Sequence, residues 1–311
     1  MTIQTLGSRH GACSTNVRPL YAVVSLCEDR LGARCGGAPG VPSGEAVSRN
    51  GSGMSTPASS TVLKAFHVLD LFRSQSALGA AECARLLGMP RASAYRILIS
   101  LVEAGALETT PSGQYRLTLK MFELGLRVPR QRWLVDAAYI PMEVLVTRTA
   151  LAAHLAVRDG LELVYVVKLR HAPDRTRAQA GDRNCLHATA LGKVLLAHAP
   201  YETAEQLLER GLWRFTPHTL TTRQQLMEQL EQIREEGCAY DREERTIGLV
   251  STAVPIWDPL GRVVASLSVL GPVERYRARL EQLARELDET RDQIERNLRS
   301  SRHGVAATTD M

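Results

Sequence analysis

Arg91, Ser93, Tyr95 and Arg96 form a short run of polar side chains directly after Pro90. Pro presets the entry to a helix, so these residues fall in the first turns of one. Arg can bridge guanine O6 and N7 or hold a phosphate, and Ser and Tyr do either more weakly. The open N–H groups of a helix start favour phosphate as well. Ile97, Leu98, Leu101 and Val102 follow at the spacing of a core face. A helix over about Arg91–Ala104 therefore has one face for a core and one for a groove. The rival reading is a packing helix with a solvated basic face. Arg85, Arg91, Arg96, Arg116 and Lys120 outnumber Glu103 and Glu108 in this stretch, which favours nucleic acid.

Such a helix needs a scaffold. Ser60 is a candidate N-cap for a first helix, along which Val62, Leu63, Phe66, Leu69 and Phe72 recur at helical spacing. A second helix spans about Ala80–Leu87 and stops at Gly88. Gly105 ends the third. Two short strand-like runs follow, Ala106–Thr109 and Gln114–Leu117, around the turn Thr110-Pro111-Ser112-Gly113. Three helices and a hairpin predict a winged helix-turn-helix at Ser60–Arg116, with Gln114 and Arg116 on the wing.

Beyond it, Thr118–Arg132 reads as a helical connector that loosens at Pro129, and Trp133–Thr149 as an amphipathic helix. Strands are expected at Ala152–Val157 and Leu163–Leu169 around Asp159-Gly160, and at Leu249–Trp257 and Val263–Val269 around Asp258-Pro259-Leu260-Gly261. Helices fall at about Thr189–His198, Glu202–Arg210, Thr222–Glu236 and Val273–Arg299. This order is α+β around an antiparallel sheet. Gly181–His187 reads as a loop feeding a helix N-terminus, where free N–H groups favour a carboxylate. Leu249, Ser251 and Ser268 lie on or beside strands able to line an apolar pocket with a few polar groups. His187 can be a cap, a core residue or a ligand contact. Lys193 can pair with Glu244, bind an acid or be solvated, solvation being the default for lysine. Asp241 can be an exposed turn acid, Ser251 a satisfied strand hydroxyl, and Trp213 a packing residue.

The composition narrows the classes. Of 311 residues 44% are hydrophobic, enough for two cores, and the net charge of +5 is compatible with nucleic acid without demanding it. The six cysteines show no Cys-x-x-Cys spacing, so free thiols are expected and no metal site. There is no Gly-x-Ser-x-Gly, Gly-x-Gly-x-x-Gly, Walker lysine loop or His-Glu-x-x-His. Neither catalysis nor a cofactor is expected. No apolar run reaches membrane length and the start lacks signal-peptide order, so a cytoplasmic protein is expected. Residues 1–53 are rich in Gly, Ser, Arg and Pro without periodicity and are expected to be disordered, like 300–311. Met54, just before the first helix, is a candidate initiator. The expected domains are 54–117 for DNA binding, a 118–132 linker and 133–299 for a ligand.

The run Leu86-Leu87-Gly88-Met89-Pro90 through Leu98, with Leu101–Gly105, resembles the recognition region of IclR-family regulators. It departs from their pattern at Arg91, Ala92, Ser93 and Tyr95. Gln114–Leu117, Phe122–Gly125, Leu186–Ala197, Gly211–Thr221, Glu243-Glu244, Gly248, Ala253, Pro255 and Ser268–Pro272 match further family motifs, in order, over about Ser60–Asn297. The resemblance implies a winged helix-turn-helix followed by a GAF-like effector domain that binds a small organic or aromatic acid. It implies a homodimer or dimer of dimers on double-stranded operator DNA, controlling a catabolic operon. The implied DNA contacts are Arg91, Ala92, Ser93, Tyr95, Arg96, Gln114 and Arg116. The implied effector contacts are Thr189, Ala190, Leu191, Asp241, Leu249, Ser251 and Ser268. Ser251 stands where some relatives carry Cys, and Gly248–Pro255 looks nearest to regulators of aromatic-acid catabolism. The alternative is a GAF-like ligand sensor that does not read DNA.

Overall fold

The computed structural model describes residues 58–171, 180–277 and 279–300. The expectations for 1–53 and for the tail beyond Ser300 lie outside them, and so does that for Met54. The chain separates at Thr118 into two units.

In the first unit, α1 (Ser60–Leu71), α2 (Ala80–Leu86) and α3 (Arg91–Glu103) precede a hairpin of β1 (Leu107–Thr109) and β2 (Tyr115–Leu117). Gly88 (φ +60°) lets the chain leave α2 and turn into α3, and Gly113 (φ +75°) closes the hairpin turn. Tyr115 also bridges back to Leu78. The core holds Val68, Phe72, Leu78, Ala94, Ile97, Leu98, Leu101 and Leu107. Two expectations change here. The N-cap of α1 is Ser59, which makes no side-chain cap bond. And the apolar stripe of α1 divides: Val68 and Phe72 are buried, whereas Val62, Leu63 and Phe66 are exposed, Phe66 by 61%.

The second unit opens with α4 (Leu119–Gly125) and α5 (Pro129–Thr149). Pro129 therefore begins a helix instead of loosening one; Pro at the first position forfeits only an N–H that would be unpaired anyway. Eight strands occur among the described residues. Six of them, β3 (Ala152–Asp159), β4 (Glu162–Leu169), β5 (Arg183–Cys185), β6 (Ala239–Arg242), β7 (Leu249–Trp257) and β8 (Val263–Pro272), form one antiparallel sheet ordered β5-β4-β3-β8-β7-β6. The edge strands β5 and β6 were not anticipated. Part of the expected 181–187 loop is thus strand. The helices α6 (Ala190–Ala197), α7 (Tyr201–Arg210) and α8 (Arg223–Glu236) precede β6, and α9 (Val273–Arg277) and α10 (Leu280–Ser300) follow β8. The long helix expected at Val273–Arg299 is thus two. Between them Arg279 donates to the α5 carbonyls of Thr149 (2.8 Å) and Arg148 (3.2 Å), a cation at a helix C-terminus.

Strand alternation gives the sheet two unlike faces. Leu155, Val254, Ile256, Leu267 and Val269 pack towards α5 and α10. Ala156, Tyr165, Ala239 and Ala253 pack towards α6, α7 and α8. α6 is buried along its whole length. It fits because residue 192 is Gly: a Cβ there would lie 2.5 Å from the Leu186 carbonyl oxygen and 2.7 Å from that of Cys185. These are backbone atoms, so relief requires the helix or the β5–α6 turn to move. Gly192→Ala should destabilise this unit by roughly 1–3 kcal/mol, several degrees in Tm. Thermal denaturation of the full chain checks it; an unchanged transition would mean the turn yields without cost.

Candidate functional sites

In α3 the core face takes Ala94, Ile97, Leu98 and Leu101, which turns Arg91, Ala92, Tyr95 and Arg96 outward, all exposed. Ser93 is half-buried. Neither Arg91 nor Arg96 enters an ion pair among the described residues. On the hairpin, Gln114 is exposed and its backbone N–H donates to the Thr110 hydroxyl. Arg116 is exposed too, but its Nε donates to Glu108 at 2.5 Å across the strand pair. Such an exposed pair is worth about 0–1 kcal/mol, little enough for a phosphate to displace. The structure thus brings five of the seven expected DNA contacts onto one helix and two onto the wing.

The second site lies where the N-terminus of α6 meets the sheet. Thr189 is the N-cap; its hydroxyl accepts from the Gly192 N–H (3.0 Å) and donates to the Cys185 carbonyl (3.0 Å). The hydroxyl is therefore committed to seating the helix. Ala190 and Leu191 follow, both buried. Ser251 pairs with Asp241 across β6–β7, and Ser268 pairs with both Ala253 and His154. Ser268 is buried, while Leu249 and Ser251 are half-buried.

Three expectations were too bland. Lys193 is not solvated: it is fully buried, and its Nζ donates to both Glu244 oxygens (2.6 and 2.8 Å) and to Gln229 Oε1 (2.8 Å). Of the three readings left open for it, pairing with Glu244 is the one observed. Asp241 is not an exposed turn acid but a buried one, accepting from the Glu244 N–H at 2.8 Å. The turn between them includes Glu243 in the left-handed region (φ +62°), a costly conformation for a side-chain-bearing residue. Trp213 does not pack; its side chain is 68% exposed, and its carbonyl accepts from His187 Nε2 (2.9 Å). His187 is itself buried and stacks on Phe215, so it anchors that loop.

Sequence reading missed His154, Tyr165, Asn184 and Arg245. Arg245 Nε donates to Asn184 Oδ1 (3.0 Å), and Asn184 Nδ2 donates to the Tyr165 hydroxyl oxygen (3.0 Å). His154 meets the Tyr165 ring edge-on at 5.3 Å. Its Nε2 is buried with no hydrogen-bond partner. Leaving such an atom unpaired costs about 1–3 kcal/mol. A signal existed: His154 is the one polar residue in Ala152-Ala153-His154-Leu155-Ala156-Val157.

Electrostatics follow from burial. Burial, then the Glu244 charge, pushes the Asp241 carboxyl up to about 7, against the pull of Lys193. Burial lowers the Lys193 ammonium, opposed by Glu244. Burial, helped by Lys168 and Arg170, holds His154 well below the usual histidine range. Burial pushes the Cys185 thiol up to about 11, so it is an inert thiol. Asp241 carries a testable consequence. Between about pH 4 and 7 the unfolded chain releases this proton before the folded chain does, so its contribution to stability is lost as pH rises through that window. Asp241→Asn keeps an oxygen for the Glu244 N–H and removes the titration. Its stability relative to the parent should rise from pH 5 to pH 8, by at most a few kcal/mol. Urea denaturation at the two pH values decides; a pH-independent difference contradicts the assignment.

No described helix is long and apolar enough to cross a membrane, and no cluster of metal ligands occurs among the described residues. Comparison with known proteins gives a consistent answer for both units. The model of the IclR helix-turn-helix domain matches residues 61–111, and that of the bacterial transcriptional regulator IclR C-terminal domain matches 129–296. The HTH-type transcriptional regulator KdgR of Escherichia coli K12 is 36% identical over 220 residues, spanning 70% of this chain and 84% of that one. XynR of the same strain, also an HTH-type transcriptional regulator, is 34% identical over 225 residues, 68% of this chain and 86% of its own. Among solved structures, an IclR homologue from Microbacterium hydrocarbonoxydans, in complex with 4-hydroxybenzoate, is 29% identical. It superposes with a TM-score of 0.72 over 78% of this chain and 100% of its own. The IclR protein of Thermotoga maritima is 30% identical, with a TM-score of 0.62 over 76% of this chain and 98% of its own. The helix-turn-helix carrying Arg91 and Arg96, and the sheet domain that follows it, make this chain a member of the IclR family of DNA-binding transcription regulators.

Proposed function

We propose that the protein acts as a homodimer whose two α3 helices enter successive major grooves of a pseudo-palindromic operator. A small carboxylic acid bound at the α6 N-terminus alters that binding, and the genes controlled serve catabolism of the acid. The observation that carries the DNA half is the pair Arg91 and Arg96, exposed and without ion-pair partners on the outer face of a helix whose inner face is core. Arg91, Ala92, Ser93, Tyr95 and Arg96 meet bases and phosphates; Gln114 and Arg116 meet backbone or minor groove. Arg supplies bidentate guanine contacts or phosphate contacts, and only the former discriminate sequence.

The acid half rests on chemistry. Backbone N–H groups at Ala190 and Leu191 open a buried helix, a favourable end for an anion. Arg245 is half-buried and tied to Asn184, adding a cation within reach of the same region. Ser251, Ser268 and Asp241 supply polar contacts, Leu191 and Leu249 apolar ones. Thr189 acts through its cap. The 4-hydroxybenzoate held by the Microbacterium homologue agrees with a small acid of this kind. Binding the two DNA-competent and incompetent states unequally, the acid shifts their populations.

Pairing has its own support. Val62, Leu63 and Phe66 expose apolar surface on α1, and Leu119, Phe122 and Leu124 do so on α4. Exposed apolar side chains on either helix mark contact surfaces. Phe66→Asp should shift the protein from dimer to monomer in sedimentation equilibrium and weaken operator binding; a dimer of parental stability would refute the α1 contact.

The DNA reading is tested with the upstream DNA of the protein's own gene. Arg91→Ala or Arg96→Ala should weaken specific binding by about tenfold or more and flatten its salt dependence, since each cationic contact releases counterions. Fluorescence anisotropy across a salt series measures both. Unchanged affinity in the double variant means that α3 is not the reading helix.

A further inference from the structure

α5 and α10 cover one face of the sheet, and a groove runs along their own outer side. The two helices lie antiparallel: Arg279 reaches the Thr149 carbonyl at one end, and Asn297 reaches that of Ala137 at the other. The second contact has a cause in the sequence. Pro141 lies inside α5 and has no N–H, so the Ala137 carbonyl loses its partner within the helix, and Asn297 Nδ2 supplies one at 2.8 Å. The groove between the helices is open, with a volume of about 700 Å³. Ile140 and Val144, one turn apart on α5, line it. Ile140 is 64% exposed, and Val144 and the neighbouring Tyr139 are exposed too. A helix that faces only water carries charged and polar residues on its outer side.

The two ends of the groove differ in charge. At one end Arg148 serves both Glu286 (3.1 Å) and Glu289 (3.3 Å), one cation for two acids. At the other end Arg296 donates to Gln293 (2.8 Å) and enters no ion pair among the described residues, while Asp292 is held by Arg291 (2.9 Å). A surplus acid, an apolar middle and an unpaired cation in one line are complementary to themselves. A two-fold axis through the middle sets Glu289 of each copy against Arg296 of the other, and the Ile140–Val144 ridges against one another.

We infer that the α5–α10 groove is a contact between two copies of this chain, and that it joins one α1-paired dimer to another. The contact is small, since a standard interface takes about 20–30 residues a side, more than this groove offers. It therefore holds weakly in free solution, where dimers and tetramers exchange. Two dimers joined in this way raise each other's effective concentration at neighbouring DNA sites. The contact builds on the α1 pairing proposed above and is measured apart from it. The α1 pairing governs the step from monomer to dimer, the groove the step from dimer to tetramer.

Sedimentation equilibrium of the full-length protein over a micromolar concentration series tests it. The parent should pass from dimer to tetramer as concentration rises. Each substitution enters a two-fold contact twice, so Ile140→Glu, Glu289→Arg or Arg296→Glu should weaken the tetramer by about tenfold or more while the dimer persists. Glu289→Arg combined with Arg296→Glu reverses both charges and should return the tetramer to within about threefold of the parent. The two positions stand too far apart on α10 to meet within one chain, so such a rescue comes from across the contact. All three side chains are exposed, which leaves the fold intact in each variant. The inference is overturned if the parent stays dimeric throughout, if Ile140→Glu associates like the parent, or if the charge-reversed pair does no better than its single variants. A parent that becomes tetrameric only once residues 301–311 are cut away has its own end in the groove, and that result overturns the inference as well.

Discussion

The second unit is organised by one buried ion pair. Lys193 comes from the middle of α6 and Glu244 from the turn after β6, and neither is reachable by water to any useful extent. Two charges in such a place are tolerable only when the geometry satisfies them, and here three short hydrogen bonds do so. The pair ties the helix to the far edge of the sheet. It does so beside the turn in which Glu243 takes a left-handed conformation and Thr216 and Thr219 donate to the Glu243 and Glu244 carbonyls. Gly192 next to Lys193 allows the same helix to lie on the β5–α6 turn. Helix, turn and edge strand are thus fixed together, and the α6 N-terminus is held at a defined place over the sheet.

How much of this the sequence reveals depends on the kind of signal. α3 was legible because core and groove faces alternate cleanly and Pro90 and Gly105 punctuate its ends. The hairpin was legible from Pro111 and Gly113. α1 was legible as a helix, but periodicity cannot say which apolar residues meet a core within the chain and which stay exposed, so Val62, Leu63 and Phe66 looked internal. β5 and β6 escaped because strands of three and four residues are too short to show alternation. Of the effector residues implied by family motifs, Thr189, Ala190 and Leu191 open α6 and Ser251 lies across from Asp241, yet the motifs did not reveal that Thr189 spends its hydroxyl on the helix or that Asp241 is buried. Lys193 stayed open between pairing with Glu244, binding an acid and solvation for a general reason: a lysine in an apolar helix is read by default as snorkelling to solvent until the fold brings it a partner, here 51 residues away.

The placement of charge around α6 also bears on how an anion would be received there. Asp241 and Glu244 share a buried region with one ammonium, so the cluster holds one acid more than it can pair. The excess is carried by Asp241, whose carboxyl titrates near neutrality instead of near pH 4. On the reading that an acid binds at this end of α6, its carboxylate and an ionised Asp241 repel each other, while a protonated Asp241 offers a donor. Ligand binding and Asp241 protonation then favour each other, and by linkage each strengthens the other by the same factor. The same burial that makes Asp241 costly to ionise in the empty protein makes it a suitable partner for an anion. A fully exposed aspartate, the alternative reading of Asp241 from sequence, could do neither.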